Sequence, residues 1–191
     1  MKLYGTTTSP FVRRVRVVCA EVGEPVELVD TATEAGQAAL RAVTPIWKVP
    51  VAELDGQIRF DSRVIIDHLL VHRGFGGLTP PQDPWAEANL LSAIDAALDS
   101  AISVFYLRRE GVAIDDTAFA QRQRARIESI LEWLATRLPE RDVDLATISL
   151  VCALDWMDFR ATYPTERHPR LAPLRAALRE HPSLAATRPH A

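Results

Sequence analysis

The sequence predicts two successive units of different class: an α/β unit of order βαβ-α-ββα, then an all-helical bundle. Strand and helix periodicities alternate as far as Gly74. The breaker-rich stretch Gly74-Phe75-Gly76-Gly77-Leu78-Thr79-Pro80-Pro81 then interrupts them, and beyond it only helical spacing is found. The boundaries drawn from this pattern are residues 1–77, a linker at 78–83 and residues 84–191.

Taken in order, Lys2-Leu3-Tyr4 reads as a short strand. Ser9 then suits the N-cap of a helix, with Pro10 at the first helical position, where its missing N–H is no loss. Phe11, Val15, Val18, Cys19 and Val22 recur at helical spacing, and Gly23 closes the helix. Val26 to Val29 is a second strand, so the opening is a βαβ unit with a parallel pair. A weaker helical run from Glu34 to Arg41 ends at Thr44-Pro45. Val49 to Leu54, the turn Asp55-Gly56-Gln57 and Ile58 to Phe60 form a hairpin. Ser62 opens a further helix whose apolar stripe is Ile65, Ile66, Leu69 and Leu70.

The second unit starts with a long helix from Pro84 to about Glu110, its apolar side formed by Leu91, Ile94, Leu98, Ala101, Ile102 and Phe105. The next begins at the caps Asp115-Asp116-Thr117 and carries Ile127, Ile130, Leu131, Leu134 and Leu138. A third runs from Asp144 to about Arg160, and shorter helices begin near Pro169 and Pro182.

Composition narrows the function classes. A hydrophobic fraction of 48% over 191 residues supports a packed core. A net charge of -3 with both signs interspersed argues against a nucleic-acid surface, and Arg122-Gln123-Arg124-Ala125-Arg126 reads as a solvated helix face. The longest nearly apolar run, about Leu145 to Leu154, is too short for a bilayer, and no secretory pattern opens the sequence; the expectation is a cytoplasmic protein without a membrane partner. Cys19 and Cys152 lack metal spacing and read as reduced core residues. His68 and His72 are four apart but have no glutamate base or third ligand beside them, so no metal is expected. Asp95 with Asp99, and Asp155 with Asp158, read as solvated faces or caps.

Ser9-Pro10 is the most informative local signal. A helix N-terminus presents free N–H groups and the positive end of its dipole, so an anion beside Ser9 would be stabilised. Three motifs give that anion an identity. Ser9-Pro10-Phe11-Val12-Arg13-Arg14-Val15-Arg16, Lys48-Val49-Pro50-Val51 and Phe60-Asp61-Ser62 together resemble the soluble glutathione S-transferases, in the subset whose catalytic position is serine or cysteine. The order of elements resembles that family along the whole chain. Asp144 with Thr147 is similar to the family's capping motif with the residue types exchanged, since the family usually has Ser or Thr first and Asp third.

The resemblance implies a thioredoxin-like glutathione-binding domain, a helical domain contributing the electrophile pocket, and a homodimer. It makes Ser9 the catalytic residue. A serine is too weak a base to remove the thiol proton, but it can donate a hydrogen bond to the thiolate. Val49, before a cis Pro50, would pair with the cysteinyl backbone of the tripeptide as an added strand does. Ser62 and the helix it opens would take the γ-glutamyl carboxylate, Asp61 the ammonium, and Lys48 the glycyl carboxylate, although an exposed lysine there is ordinary. Phe11, Trp47 and Tyr106 are pocket candidates, with buried packing as the rival role for Trp47 and ordinary packing for Tyr106. The implied partners are glutathione, as co-substrate, and a small electrophile, with no prosthetic group. The implied activity is conjugation of the thiolate to the electrophile, with a glutathione-dependent isomerase or lyase, or a non-catalytic binding protein, as the alternatives.

Overall fold

In the computed structural model, which describes residues 1–138 and 143–190, β1 (Lys2–Gly5) pairs in parallel with β2 (Glu27–Asp30) and antiparallel with β3 (Val51–Leu54). β3 turns back through Asp55-Gly56 into β4 (Gln57–Phe60), giving a sheet of order β2-β1-β3-β4. The helices of this unit are α1 (Pro10–Val22), α2 (Glu34–Val43) and α3 (Ser62–Arg73). The expected βαβ-α-ββα order is therefore the observed one. Tyr4, Leu40 and Val51 form a core cluster joined by Val29, Val43 and Val49. A Cβ on Gly5 would lie 2.4 Å from a Val12 methyl, so glycine lets the first turn of α1 rest on the end of β1.

The second unit is helical: α4 (Pro84–Arg109), α5 (Ala118–Leu134), α6 (Leu145–Phe159), 3₁₀ turns at Thr165–Arg167 and Pro169–Leu171, and α7 (Ala172–Leu178). α4 packs against α5 and α6 through Leu91, Ile94, Leu98 and Ala101, all buried. By length and composition α4 is apolar enough to cross a bilayer, a property it shares with the core helices of soluble bundles. α6 is buried along almost its whole length. Both reciprocal bonds of its exchanged capping box are made: Thr147 N–H donates to Asp144 at 2.7 Å, and Asp144 N–H to the Thr147 hydroxyl at 3.1 Å.

Three features differ from the sequence expectations. α5 ends at Leu134, four residues short of Leu138, which lies in the following turn. Leu78, assigned to the linker, is buried, and Gly76 lies so close to the Glu21 carbonyl that a Cβ there would approach it to 2.0 Å. Compact packing divides the chain into Met1–Pro80 together with the residues from His181 onward, and Pro81–Glu180. The end of the chain, expected in the helical domain, thus belongs to the first unit: α8 (Pro182–Ala186) packs on α1. Buried Arg13 fixes it there, donating to the Leu184 carbonyl at 3.0 Å and the Thr187 hydroxyl at 3.4 Å.

Candidate functional site

The sheet register brings the candidate residues to one pole of the first unit. Tyr4, near the C-terminal end of β1, pairs with Val51 at the start of β3, and Val51 pairs with Phe60 at the end of β4. The β1–α1 loop with Ser9, the Val49-Pro50 segment and Asp61-Ser62 therefore leave the sheet at the same end. Ser9 caps α1, its Oγ accepting from Val12 N–H at 3.3 Å, and Pro10 takes the first helical position. With the oxygen accepting from the helix, the hydroxyl proton is available to an outside acceptor.

The Val49–Pro50 bond is cis. Val49 precedes the ladder, and among the described residues its N–H and C=O carry no backbone hydrogen bond. It is an unpaired continuation of β3, able to accept another extended chain. Lys48 is exposed on the same segment. Trp47 is 62% exposed, with the Arg41 guanidinium 5.1 Å from its ring centroid, which removes buried packing as its role.

Asp61 adopts a positive φ of 73° and caps α3, accepting from Arg63 N–H at 2.8 Å. Ser62 is the first helical residue, as expected, but it is only 3% exposed and its hydroxyl is already engaged. Arg14 donates to Ser62 Oγ from Nε at 3.1 Å and from Nη2 at 2.6 Å. The same guanidinium lies 5.0 Å from the centroid of Phe11, which is thereby tied to the arginine rather than left bare. Arg14 is the residue that sequence reasoning missed. It lies inside the Ser9–Arg16 motif, but nothing in the spacing distinguishes it from a solvent-facing arginine.

Tyr106 lies in the second unit, on α4, half exposed, edge-on to Phe105 and beneath Arg109. Cys19 is buried in α1, where burial first and the nearby Glu24 charge second push its thiol up to about 12. It is no nucleophile at neutral pH. His68 bonds Asp55 at 3.0 Å, and His72 stacks on it and reaches the His68 carbonyl. Both rings are thus committed to helix and turn contacts.

Two helix N-termini and the unpaired Val49 backbone therefore meet at one pole of the four-stranded sheet, an arrangement able to hold an extended, anionic chain. Comparison with known proteins gives the family. Residues 3–74 match the family Glutathione S-transferase, N-terminal domain. The chain is 31% identical to a glutathione transferase family member from Pseudomonas fluorescens Pf-5 solved with bound glutathione, covering 100% of this chain and 99% of that one at a TM-score of 0.84. It is 29% identical to a glutathione S-transferase from Methylobacillus flagellatus KT with glutathione bound, covering 99% of each chain at a TM-score of 0.83. It is also 27% identical over 172 residues to the GST-like protein YibF of Escherichia coli K12, 86% of this chain and 85% of that protein. The chain belongs to the glutathione S-transferase family.

Proposed function

We propose that this protein is a cytoplasmic glutathione transferase that joins the glutathione thiolate to a small, apolar electrophile. The observation that carries the reading is the convergence of Ser9, the unpaired Val49 backbone and the Asp61-Ser62 helix terminus at one pole of the sheet. Glutathione lies as a short extended chain against the Val49-Pro50 segment that leads into β3, its cysteinyl amide and carbonyl pairing with Val49. Its γ-glutamyl carboxylate meets Ser62 and the first turn of α3, its ammonium meets Asp61, and its glycyl carboxylate faces Lys48.

The sulfur then reaches Ser9. A free thiol has a pKa of about 8.5, and lowering it by about two units needs roughly 2.7 kcal/mol. A hydrogen bond donated to a charged acceptor supplies about 1.5–3 kcal/mol, and a helix N-terminus about 0.3–1 kcal/mol. Ser9 and α1 together match the requirement. The thiolate attacks the electrophilic carbon, forming a C–S bond, and the displaced group leaves with the electron pair; the scheme uses no prosthetic group. Such chemistry removes reactive electrophiles and is a detoxification.

The protein acts as a homodimer in this reading. Ile58 and Phe60, on one face of β4, and Val64 and Val71, two turns apart on α3, are exposed apolar side chains suited to a partner copy. The test of the activity is calorimetry with glutathione, followed by a conjugation assay over a panel of electrophiles. Binding in the millimolar range or tighter, with turnover of at least one electrophile, is expected. No binding overturns the reading, and binding without turnover replaces it with that of a glutathione-binding protein.

A further inference from the structure

We propose that Arg14 is a positioning residue that makes the Ser62 hydroxyl a dedicated hydrogen-bond donor to the α-carboxylate of the γ-glutamyl group. The inference rests on the glutathione site just proposed and assigns a role to a side chain outside it. A serine oxygen has two acceptor positions and one proton. Arg14 Nε and Nη2 both donate to Ser62 Oγ, at 3.1 and 2.6 Å, from the same side of the oxygen. With a cation and two donors on that side, the hydroxyl proton is directed away from the guanidinium, toward an acceptor outside it. Ser62 also opens α3, so its backbone N–H has no intrahelical partner. One residue thus offers two donors to an anion, and a carboxylate has two oxygens to receive them.

Burial makes the arrangement fixed. Arg14 and Ser62 are 2% and 3% exposed, and the Arg14 guanidinium is stacked over Phe11. Its neighbour Arg13, equally buried, is engaged with Leu184 and Thr187 of the C-terminal segment. Adjacent arginines on α1 therefore serve different ends of the unit.

The test is titration calorimetry on wild type, Arg14→Met, Arg14→Lys, Ser62→Ala and the Arg14→Met/Ser62→Ala double variant. The ligands are glutathione and 4-aminobutyryl-cysteinylglycine, which differs only in lacking the α-carboxylate. Arg14→Met is expected to weaken glutathione about tenfold and the analogue less than twofold, and the double variant to bind no more weakly than Ser62→Ala alone. Arg14→Lys, with a single point donor in place of the fork, falls between wild type and Arg14→Met. It carries the same comparison if thermal melts show that Arg14→Met does not fold. Equal losses for the two ligands, no loss at all, or a full Arg14→Met loss persisting in the Ser62→Ala background overturns the proposal; the last result would mean that the guanidinium acts on the ligand without the serine. If wild type itself binds no glutathione, the functional reading fails and takes this inference with it. If wild type binds and Arg14 variants bind equally, only the inference fails.

Discussion

At the scale of single residues, the candidate site divides into positions whose local chemistry names them and positions named only by their neighbours. Ser9 belongs to the first kind, because a serine before proline at a helix mouth is a cap whatever the rest of the chain does. Its expected role follows from the single proton left after Oγ has accepted from Val12. Ser9→Ala should raise the pKa of the bound thiol by about one to two units, equivalent to the loss of a charge-assisted hydrogen bond of about 1.5–3 kcal/mol. Conjugation should slow more than binding weakens, because the bond is made chiefly to the thiolate. An ultraviolet thiolate titration of the glutathione complex reads this directly, and an unchanged titration would remove Ser9 from the chemistry. The Arg14–Ser62 pair belongs to the second kind, although Ser62 alone is legible as the start of α3. Their contact joins residues 48 positions apart, and no local pattern in either segment announces it.

At the scale of elements, α1 shows why the boundaries were legible and the faces were not. The Ser9-Pro10 start and the Gly23 stop are written in residue types that do those jobs through their own backbone chemistry. The buried face is different. Val12, Arg13, Arg14 and Val17 are buried in addition to the apolar stripe, because α3 and α8 both cover α1, and α8 arrives from the far end of the chain. A helix covered on several sides cannot be read from one stripe. The Asp55-Gly56 turn was legible for the same local reason as the caps, but its tie to α3 was not. Arg73, at the end of α3, bonds Asp55 of the hairpin and Glu24, whose other oxygen accepts from the Met1 ammonium. Burial opposes the Glu24 charge, yet the Arg73 and Met1 hydrogen bonds outweigh it and hold the carboxyl below its ordinary value. Hydrogen bonds from His68 and then Arg73 lower Asp55 as well. Both carboxylates therefore contribute stability that is fully present above their unfolded values, near pH 4, and is lost as pH falls through their lower folded values. Arg73→Met should flatten the fall of melting temperature with acid below about pH 4, while lowering the melting temperature at neutral pH. A melting series from pH 7 to pH 2 checks both signs, and a parallel offset at every pH would exclude the coupling.

At the scale of the whole molecule, the chain closes on itself: its last described residues complete the unit that its first residues begin. The break at Gly74–Pro81 marked a change of composition, and composition is what a sequence displays. It could not display the return of the segment after Glu180, because that segment is helical like the unit before it and differs only in what it packs against. Its anchors are Leu184, 1% exposed, and the Leu184 carbonyl and Thr187 hydroxyl that receive the Arg13 guanidinium. His181 adds an ion-pair contact to Glu21 at 3.5 Å. A chain ending at Glu180 would leave Arg13 without these acceptors and uncover the α1 face that α8 occupies. Losing these two hydrogen bonds from a charged donor, at about 1.5 kcal/mol each, costs about 3 kcal/mol, which for a protein of this size lowers the melting temperature by roughly 10 °C. Leu184→Ala tests the apolar part alone and should cost about 2–5 kcal/mol. Because α1 also carries Ser9 and Arg14, the shortened chain should bind glutathione more weakly even where it remains folded, whereas a segment with no structural role would leave both melting and binding unchanged. Differential scanning calorimetry with and without glutathione separates the two outcomes: a terminus that holds α1 in place lowers the melting temperature and also shrinks the shift that glutathione produces.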